Sequence, residues 1–557
     1  MTGYLEGFTP YPQEDAEKYI RLRWWSGMTL GDLLDKAADV FPDKEAFVDG
    51  QHRLTFKEAR EKTDRLAVSL LDLGVAPRDR VLIQLPNWVE FVFAYFATQK
   101  VGAIPVLLID RYRQHEIQYL AKLSEATLWI VPEKYKKTDY LPIVEDVVKE
   151  TPFLRNVILV RSEGLGLYKS MEKLMAGVEL NEANLTRLAL RRPDPMEVAH
   201  MGPTGGTTGL PKLVPRTHNS LICTMEFAAY AWEVSHRDTC LLAGPIGHDL
   251  TFTKGLGSTL FAFGKNVFLD TTEMKEVCET IQRERVTTIV WTPTLAKRLL
   301  DYEGRKNYDL RSLRAMHCGG SLSLPELVKG VREDLRCHFY NGYGGTEGQT
   351  TLTRTGDPLE TILHTVGKPT CPYDLYKVVG PDGRELPPNT PGELVIKGPG
   401  VFTGYYKAPE ENAKVFTEDG FFRTGDLAII DERGVVRLTG RVKEMINRGG
   451  ESISATEIES LISTHPDVAL VAVVPMPDPD LGERVCAYIQ PRPGADLSFE
   501  KIIAHLKEKK ASVLQLPERI EFVDRMPLTK AEKIDKKALK EDIERKLKGD
   551  FERGGFR

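Results

Sequence analysis

Long apolar runs are what this 557-residue sequence most plainly lacks. Its most apolar stretch, residues 91–97, is closed by Thr98-Gln99-Lys100, whereas a membrane-crossing helix needs about 20 apolar residues, so no membrane span is expected. Paired cysteines are missing as well. The seven, at 223, 240, 278, 318, 337, 371 and 486, are odd in number and show no CxxC spacing, which gives no sign of a disulfide framework or a zinc site. Charge of one sign is not in excess: the net value is −5, and no nucleic acid is expected as a partner. There is no repeat of fixed period, no low-complexity tract, and no basic-then-apolar pattern at the start to mark an export signal. What remains is ordinary globular composition, 41% apolar and 28% charged, expected in a reducing cytoplasm.

At this length two or more domains are the expectation. Residues 59–74 place Leu66, Leu70 and Leu73 at i, i+4 and i+7 and stop at Gly74, a helix closed by a glycine. Residues 81–85 read as a buried strand, Asn87 as the cap of a helix running to about Lys100, and residues 103–108 as another strand. Strand-like runs recur at 127–131, 157–160, 267–269 and 286–291, each near a helical pattern. The fold class is therefore α/β, with mostly parallel sheets covered by helices. From about residue 371 short alternating strands are parted by Pro-Asp-Gly, Pro-Gly-Glu and Glu-Arg-Gly turns. This predicts a barrel-like β subdomain over 371–440, inside a large N-terminal domain of residues 1–440. Residues 441–557 then read as a small C-terminal α+β domain, whose mixed-sign stretch after Ala531 is a solvated helix.

One segment is richer in chemistry than any other: His200-Met-Gly-Pro-Thr204-Gly205-Gly206-Thr207-Thr208-Gly209-Leu-Pro-Lys212. Glycines let backbone N–H groups come close to an anion, threonine hydroxyls donate to phosphate oxygens, and Lys212 adds positive charge. It is a phosphate loop by composition but not a Walker loop. Leu210 and Pro211 part the last glycine from the lysine, and Val214-Pro215 argues against a helix after it. A Gly/Thr-rich surface turn is the plain alternative.

Thr204-Gly-Gly-Thr-Thr-Gly-Leu-Pro-Lys212 resembles the signature of the adenylate-forming superfamily, which comprises acyl-CoA and aryl-CoA ligases, adenylation domains of peptide synthetases, and firefly-type luciferases. The likeness extends over nearly the whole chain, and Pro215-Arg-Thr-His-Asn219 and the Trp24-Trp25 region are most similar to 2,3-dihydroxybenzoate-AMP ligases. The resemblance implies that the loop holds the β- and γ-phosphates of ATP. Asn341-Gly342-Tyr343-Gly344-Gly345-Thr346-Glu347 resembles the motif Tyr-Gly-x-Thr-Glu. By that likeness Tyr343 stacks on adenine, Thr346 touches the α-phosphate, Glu347 binds Mg²⁺, and Asn341 and Gly342 border the acid. A hard carboxylate oxygen suits that ion. Gly319-Gly320-Ser321 is similar to the adenine-contacting segment. Thr424-Gly425-Asp426 matches the ribose motif, with Asp426 accepting from both ribose hydroxyls and Arg441 assisting. Pro527-Leu-Thr529-Lys-Ala-Glu532-Lys533 resembles the terminal motif whose lysine, here Lys533, bridges the reacting carboxylate and the α-phosphate; Glu532 stands where relatives usually have glycine. Lys443 occupies the hinge about which the C-terminal domain is implied to be mobile, presenting Lys533 for adenylation and Gly449-Gly450 for thiol attack.

Gly244-Pro-Ile-Gly-His248-Asp249-Leu-Thr-Phe252 looks like the acid-pocket segment, with His248 near the carboxylate and Asp249 against the acyl group. Dihydroxybenzoate ligases have Asn at the second position. An ionised Asp249 can only accept hydrogen bonds, which favours an acid carrying a hydroxyl or amine, or a pocket from which Asp249 turns away. A core histidine is the plain alternative for His248. The whole implies a Mg²⁺- and ATP-dependent acid–thiol ligase, monomer or homodimer. It would convert a small carboxylic acid, an aryl acid by preference, to an acyl-adenylate and pyrophosphate. The acyl group would then pass to a pantetheine thiol, CoA first and an acyl or aryl carrier protein as the alternative. Bringing a carboxylate to an anionic phosphate demands cations and N–H dipoles, which these motifs supply. A luciferase-type oxygenase is disfavoured because nothing marks a luciferin pocket. A non-catalytic nucleotide-binding regulator is opposed by the presence together of Lys212, Glu347 and Lys533.

Overall fold

The computed structural model describes residues 3–204, 211–321, 323–448, 451–529 and 533–552, with the backbone alone at Lys443, Ser452 and 548–552. Among these residues the strands build four large sheets and a small hairpin. The first sheet has seven strands in the order Lys212–Thr217, Val198–Thr204, Ile104–Leu107, Arg80–Ile83, Leu128–Pro132, Asn156–Val160, Lys169–Ser170. All its pairings are parallel except the hairpin at its edge, Val198–Thr204 with Lys212–Thr217. Strands such as Leu128–Pro132 are buried at every residue, so they read in the sequence as unbroken apolar runs rather than alternating ones.

The second sheet has nine strands. Its parallel centre runs from Glu45–Val48 through Lys265–Phe268, Thr239–Leu242, Thr288–Trp291 and Ala315–Cys318 to His338–Gly344. Antiparallel strands close both edges. Helices Glu90–Lys100 and His218–Ala231 are buried almost all round, as helices must be when sheets lie on more than one side. One apolar core accordingly joins residues of both sheets, including Ile83, Val106, Leu242 and Val290.

Helix Phe56–Asp72 buries Leu66 and Leu70 and is followed by Gly74 at φ +79°, the expected left-handed closing residue. Asn87 differs from expectation. The next helix starts at Glu90 behind Val89, which has no capping side chain. Asn87 instead donates its amide to the carbonyls of Leu242, Gly244 (each 2.8 Å) and Leu269 (2.9 Å), and accepts the Ile246 N–H at 2.9 Å. A buried strand end needs donors as much as a helix start needs acceptors, and the same residue type serves either.

The third sheet is antiparallel and four-stranded, Leu375–Val379, Gly392–Lys397, Phe422–Ile430 and Val436–Arg441. The fourth begins at Met445–Arg448 and includes Glu451–Ser454, Val468–Asp478, Gly482–Pro491 and Arg519–Phe522. Its two faces carry separate cores: Ile446, Ile458, Ile462, Val473 and Ile489 on one, Val474, Tyr488, Leu539 and Ile543 on the other. Neither merges with the core of the large sheets. The architecture is thus α/β, with helix-covered parallel sheets, a small β unit and a terminal α+β unit.

Candidate active site

The edge hairpin of the first sheet brackets the glycine-rich loop and sets Thr204 directly opposite Lys212. Gly205, Gly206, Thr207, Thr208 and Gly209 lie outside the described residues, as do Gly449, Gly450 and Glu532. The backbone at Lys443 forms a short 3₁₀ turn, Val442–Glu444. The Lys212 ammonium ion-pairs with Glu411 and stands 4.6 Å from the centroid of the Tyr405 ring. The Tyr405 hydroxyl in turn donates to Glu347 Oε1 at 2.8 Å. Burial and the Glu347 carboxylate push that phenol far up, so it remains a donor. One aromatic residue thereby links the lysine of the loop to the candidate metal carboxylate, which is itself buried.

Arg216, on the strand that starts at Lys212, is wholly buried. Its guanidinium donates to the carbonyls of Thr346 (3.2 Å) and Gly400 (2.6 Å) and to the Thr224 hydroxyl (2.9 Å). A planar five-donor fork suits several carbonyls at once, and it fastens the Thr346–Glu347 segment to the hairpin.

Asp426 faces Arg441 across the ladder of the third sheet. Its Oδ1 lies 2.7 Å from Arg441 Nε, and its Oδ2 accepts the Tyr343 hydroxyl at 2.6 Å. Burial, then the Asp426 carboxylate, push the Tyr343 phenol well up. The adenine and ribose candidates are therefore tied to each other.

Lys533 arrives from the terminal unit with its backbone tied to Thr529. Thr529 N–H donates to the Lys533 carbonyl at 2.7 Å, and Lys533 N–H to Thr529 Oγ1 at 3.2 Å. Its side chain lies over Gly320, where a Cβ would stand 3.1 Å from Lys533 Cε; Gly320 also has φ +89°. Both the turn and the close approach require glycine there. Burial and the Arg441 charge lower the Lys533 ammonium, while the Glu347 and Asp426 carboxylates oppose them. Burial first and then Lys533 hold His248 down at about 4, so its imidazole is neutral at neutral pH. Residues 248, 347, 426, 441 and 533 thus share one electrostatic neighbourhood. Gly319 and Ser321 flank Gly320, and the Gly342 carbonyl would lie 3.4 Å from a Cβ at Gly319. Gly344 is exposed beside Tyr343.

In the candidate acid pocket, His248 Nδ1 accepts the Leu250 N–H at 3.3 Å, which leaves its proton on Nε2. Asp249 precedes a π-helix, Leu250–Gly257, a rare form that recurs at functional sites. The Asp249 carboxylate accepts the Thr253 hydroxyl at 2.6 Å and lies 3.9 Å from Lys254 Nζ. Asn341 directs its amide to the carbonyls of Thr365 (2.9 Å) and Ile362 (3.4 Å), at the end of helix Leu359–His364.

Sequence reasoning did not single out Tyr405, Glu411 or Lys254. Lys254 carried a signal, being a lone charge in the otherwise uncharged run 250–263. Tyr405 and Glu411 carried none, because their proximity to Lys212 is created by the fold. Among the described residues no helix is long and apolar enough to cross a membrane.

Comparison with known proteins shows the family of the chain. A family model of AMP-binding enzymes matches residues 34–406, and a model of the AMP-binding enzyme C-terminal domain matches residues 457–533. The chain is 36% identical over 550 residues to 2,3-dihydroxybenzoate-AMP ligase of Bacillus subtilis, covering 99% of this chain and 100% of that one. It is 36% identical over 544 residues to a salicylyl-CoA synthase / salicylate adenylyltransferase of a Streptomyces species, covering 97% and 98%. The apo structure of MbtA from Mycobacterium smegmatis superposes with a TM-score of 0.72 at 31% identity, over 96% of this chain and 98% of that one. With both of its parts matched by family models and nearly its full length by these relatives, the chain belongs to the AMP-binding enzymes, ligases that activate acids by forming adenylates.

Proposed function

We propose that the protein activates an aryl carboxylic acid with ATP and passes the acyl group to a pantetheine thiol. The observation that carries this reading is the approach of Lys533 to Gly320, within the field of Glu347 and Asp426 and beside neutral His248. In the first step a carboxylate oxygen attacks the α-phosphorus of ATP, a C–O–P anhydride forms, and pyrophosphate leaves. Lys533 places an ammonium between two anions that would otherwise repel, which lowers the barrier most where charge is greatest. Lys212 supports the leaving pyrophosphate once it exchanges Glu411 for phosphate oxygens. Glu347 offers a buried hard-oxygen donor that fits Mg²⁺, and that ion would neutralise phosphate charge. Asp426 and Arg441 orient the ribose, and Tyr343 the adenine. Neutral His248 adds no charge beside the acid.

In the second step a thiolate attacks the acyl carbon and AMP leaves. Residues 1–440 and 441–557 are proposed as two domains turning about Lys443, so that the face bearing Gly449 and Gly450 replaces that bearing Lys533. Likeness to a dihydroxybenzoate-AMP ligase and a salicylyl-CoA synthase supports an aryl acid. The latter supports CoA as acceptor, with a carrier-protein pantetheine as the second candidate. The test is acid-dependent ATP–pyrophosphate exchange over substituted benzoates, heteroaryl acids and short aliphatic acids. The acids that score are then offered with CoA or a pantetheinylated carrier protein. Exchange with aryl acids and thioester formation are expected; exchange with aliphatic acids alone would overturn the aryl assignment.

A further inference from the structure

Tyr405 stands between two groups of the candidate site and is itself locked in place. It is 6% exposed. Its N–H donates to Asn412 Oδ1 at 2.8 Å, and its carbonyl accepts the Asn412 amide at 3.0 Å. Asn412 belongs to helix Pro409–Val415, as does Glu411, the partner of Lys212. The ring packs edge-on against Phe402 and Phe422, with centroids 5.0 and 6.4 Å away. A side chain fixed at both its backbone and its ring has little rotamer freedom left to lose, which is what a support for other groups requires.

The Tyr405 hydroxyl donates to Glu347 Oε1 at 2.8 Å, and no other hydrogen bond reaches that carboxylate among the described residues. The second oxygen, Oε2, lies on the Gly345 side of the loop, where a Cβ would stand 2.7 Å from it. A side chain at 345 would therefore crowd the one carboxylate oxygen that the described protein does not bond. A neutral phenol orients a carboxylate without cancelling its charge, whereas a lysine or arginine in that place would compete with a metal ion. Lys212 stands 4.6 Å from the centroid of the Tyr405 ring and pairs with Glu411 rather than with Glu347. The ring thus takes the cation on its face, while the hydroxyl at its rim takes the carboxylate.

We propose that Tyr405 is a positioning residue for the adenylation step: its hydroxyl fixes Glu347 with Oε2 left for a divalent cation, and its ring keeps Lys212 off that carboxylate and ready for phosphate oxygens. The inference rests on the proposed reaction, in which metal ion and lysine share one triphosphate. Loss of the hydroxyl and loss of the ring have different consequences. Without the hydroxyl, Glu347 is no longer held in one orientation and binds the ion less well. Without the ring as well, Lys212 can pair with Glu347, and each cancels the charge that the other offers to ATP or its metal ion.

The experiment measures ATP binding by calorimetry in the absence of acid, once in EDTA and once with saturating Mn²⁺ as the probe ion. It compares the wild type, Tyr405→Phe, Tyr405→Leu, Glu347→Gln and the double variant Tyr405→Phe/Glu347→Gln, with acid-dependent ATP–pyrophosphate exchange run beside it. In the wild type Mn²⁺ should tighten ATP binding. Tyr405→Phe should lose ~10-fold of that gain with the metal-free Kd unchanged, and Tyr405→Leu should weaken metal-free binding as well. On the Glu347→Gln background the Phe substitution should change nothing further, because the two residues act as one. An undiminished Mn²⁺ gain in Tyr405→Phe would overturn the inference, as would additive losses in the double variant or a wild type that exchanges but gains nothing from Mn²⁺. A Tyr405→Phe protein that loses metal-free binding together with the Mn²⁺ gain, or that does not fold, would make the hydroxyl a support of the fold and overturn it equally. No exchange by the wild type with any acid would instead sink the proposed reaction, and the inference with it.

Discussion

The proposed ribose end and the proposed acid end of this site are finished to different degrees. At the proposed ribose end Asp426 holds Arg441 and Tyr343 at 2.7 and 2.6 Å. At the acid end Lys254 and His317 keep polar atoms that the described protein leaves unbonded. The nucleotide is the same in every turnover, so its residues can be preorganised against one another and exchange partners on binding at little reorganisation. The acid is what distinguishes one ligase from another, and at the proposed acid end the described protein leaves polar atoms unbonded. A site that hydrogen-bonds a substituent rejects the analogue lacking it far more strongly than an apolar pocket could.

The most severe way to break this comparison is to remove the group that stands between the two ends. Lys533→Ala should lower acid-dependent exchange by ~10²-fold or more, by a similar factor for every acid, because the ammonium serves the reacting atoms and not a substituent. Thioester formation from supplied acyl-adenylate should survive. Equal loss in both half-reactions, measured in single turnovers, would argue that Lys533 acts on the fold or on adenylate binding.

A smaller effect separates the ends. Asp426→Asn keeps the shape but weakens the charge-assisted bond to Arg441 and the proposed one to ribose, and should raise the KM for ATP by ~10-fold or more. The ranking of acids should stay as it was. A changed ranking in the exchange assay would show that the two ends are not independent.

How much of this was legible in the sequence follows from the same contrast. The buried parallel strands announced themselves as apolar runs because both faces are covered, and Gly74 marked a helix end because only a left-handed residue closes it that way. The motifs around Thr204, Tyr343, Asp426 and Lys533 were visible because they set fixed residue types at short spacings, as the proposed phosphate and ribose contacts would need. Asn87 was misassigned because its carbonyl partners at 242, 244 and 269 are distant in sequence. The Lys212–Glu411, Lys212–Tyr405 and Tyr405–Glu347 contacts were invisible for the same reason, since they span 58 to 199 positions. Lys254 was readable in principle as a charge in an uncharged run, but not its lack of a partner, which is a property of packing.

The smallest expected effect tests the acid end by its charge rather than its shape. Burial pulls the Lys254 ammonium down to about 8 from its usual 10.5; Asp249 and Asp374 oppose that and Arg216 adds to it. His317 and His200, each held near 3 mainly by burial, stay neutral in this window. The sign is definite. Because the folded-state value lies below the unfolded one, the unfolded chain binds more protons between about pH 8 and about pH 10.5. The burial penalty is therefore relieved as pH rises, and the free protein gains stability from this site. Lys254→Met has no such penalty to relieve. The wild-type thermal midpoint should therefore rise relative to that of Lys254→Met, by on the order of a few degrees between about pH 7 and about pH 10. An offset that does not change across that range would mean that the folded protein already compensates the ammonium, and that the two ends are finished alike.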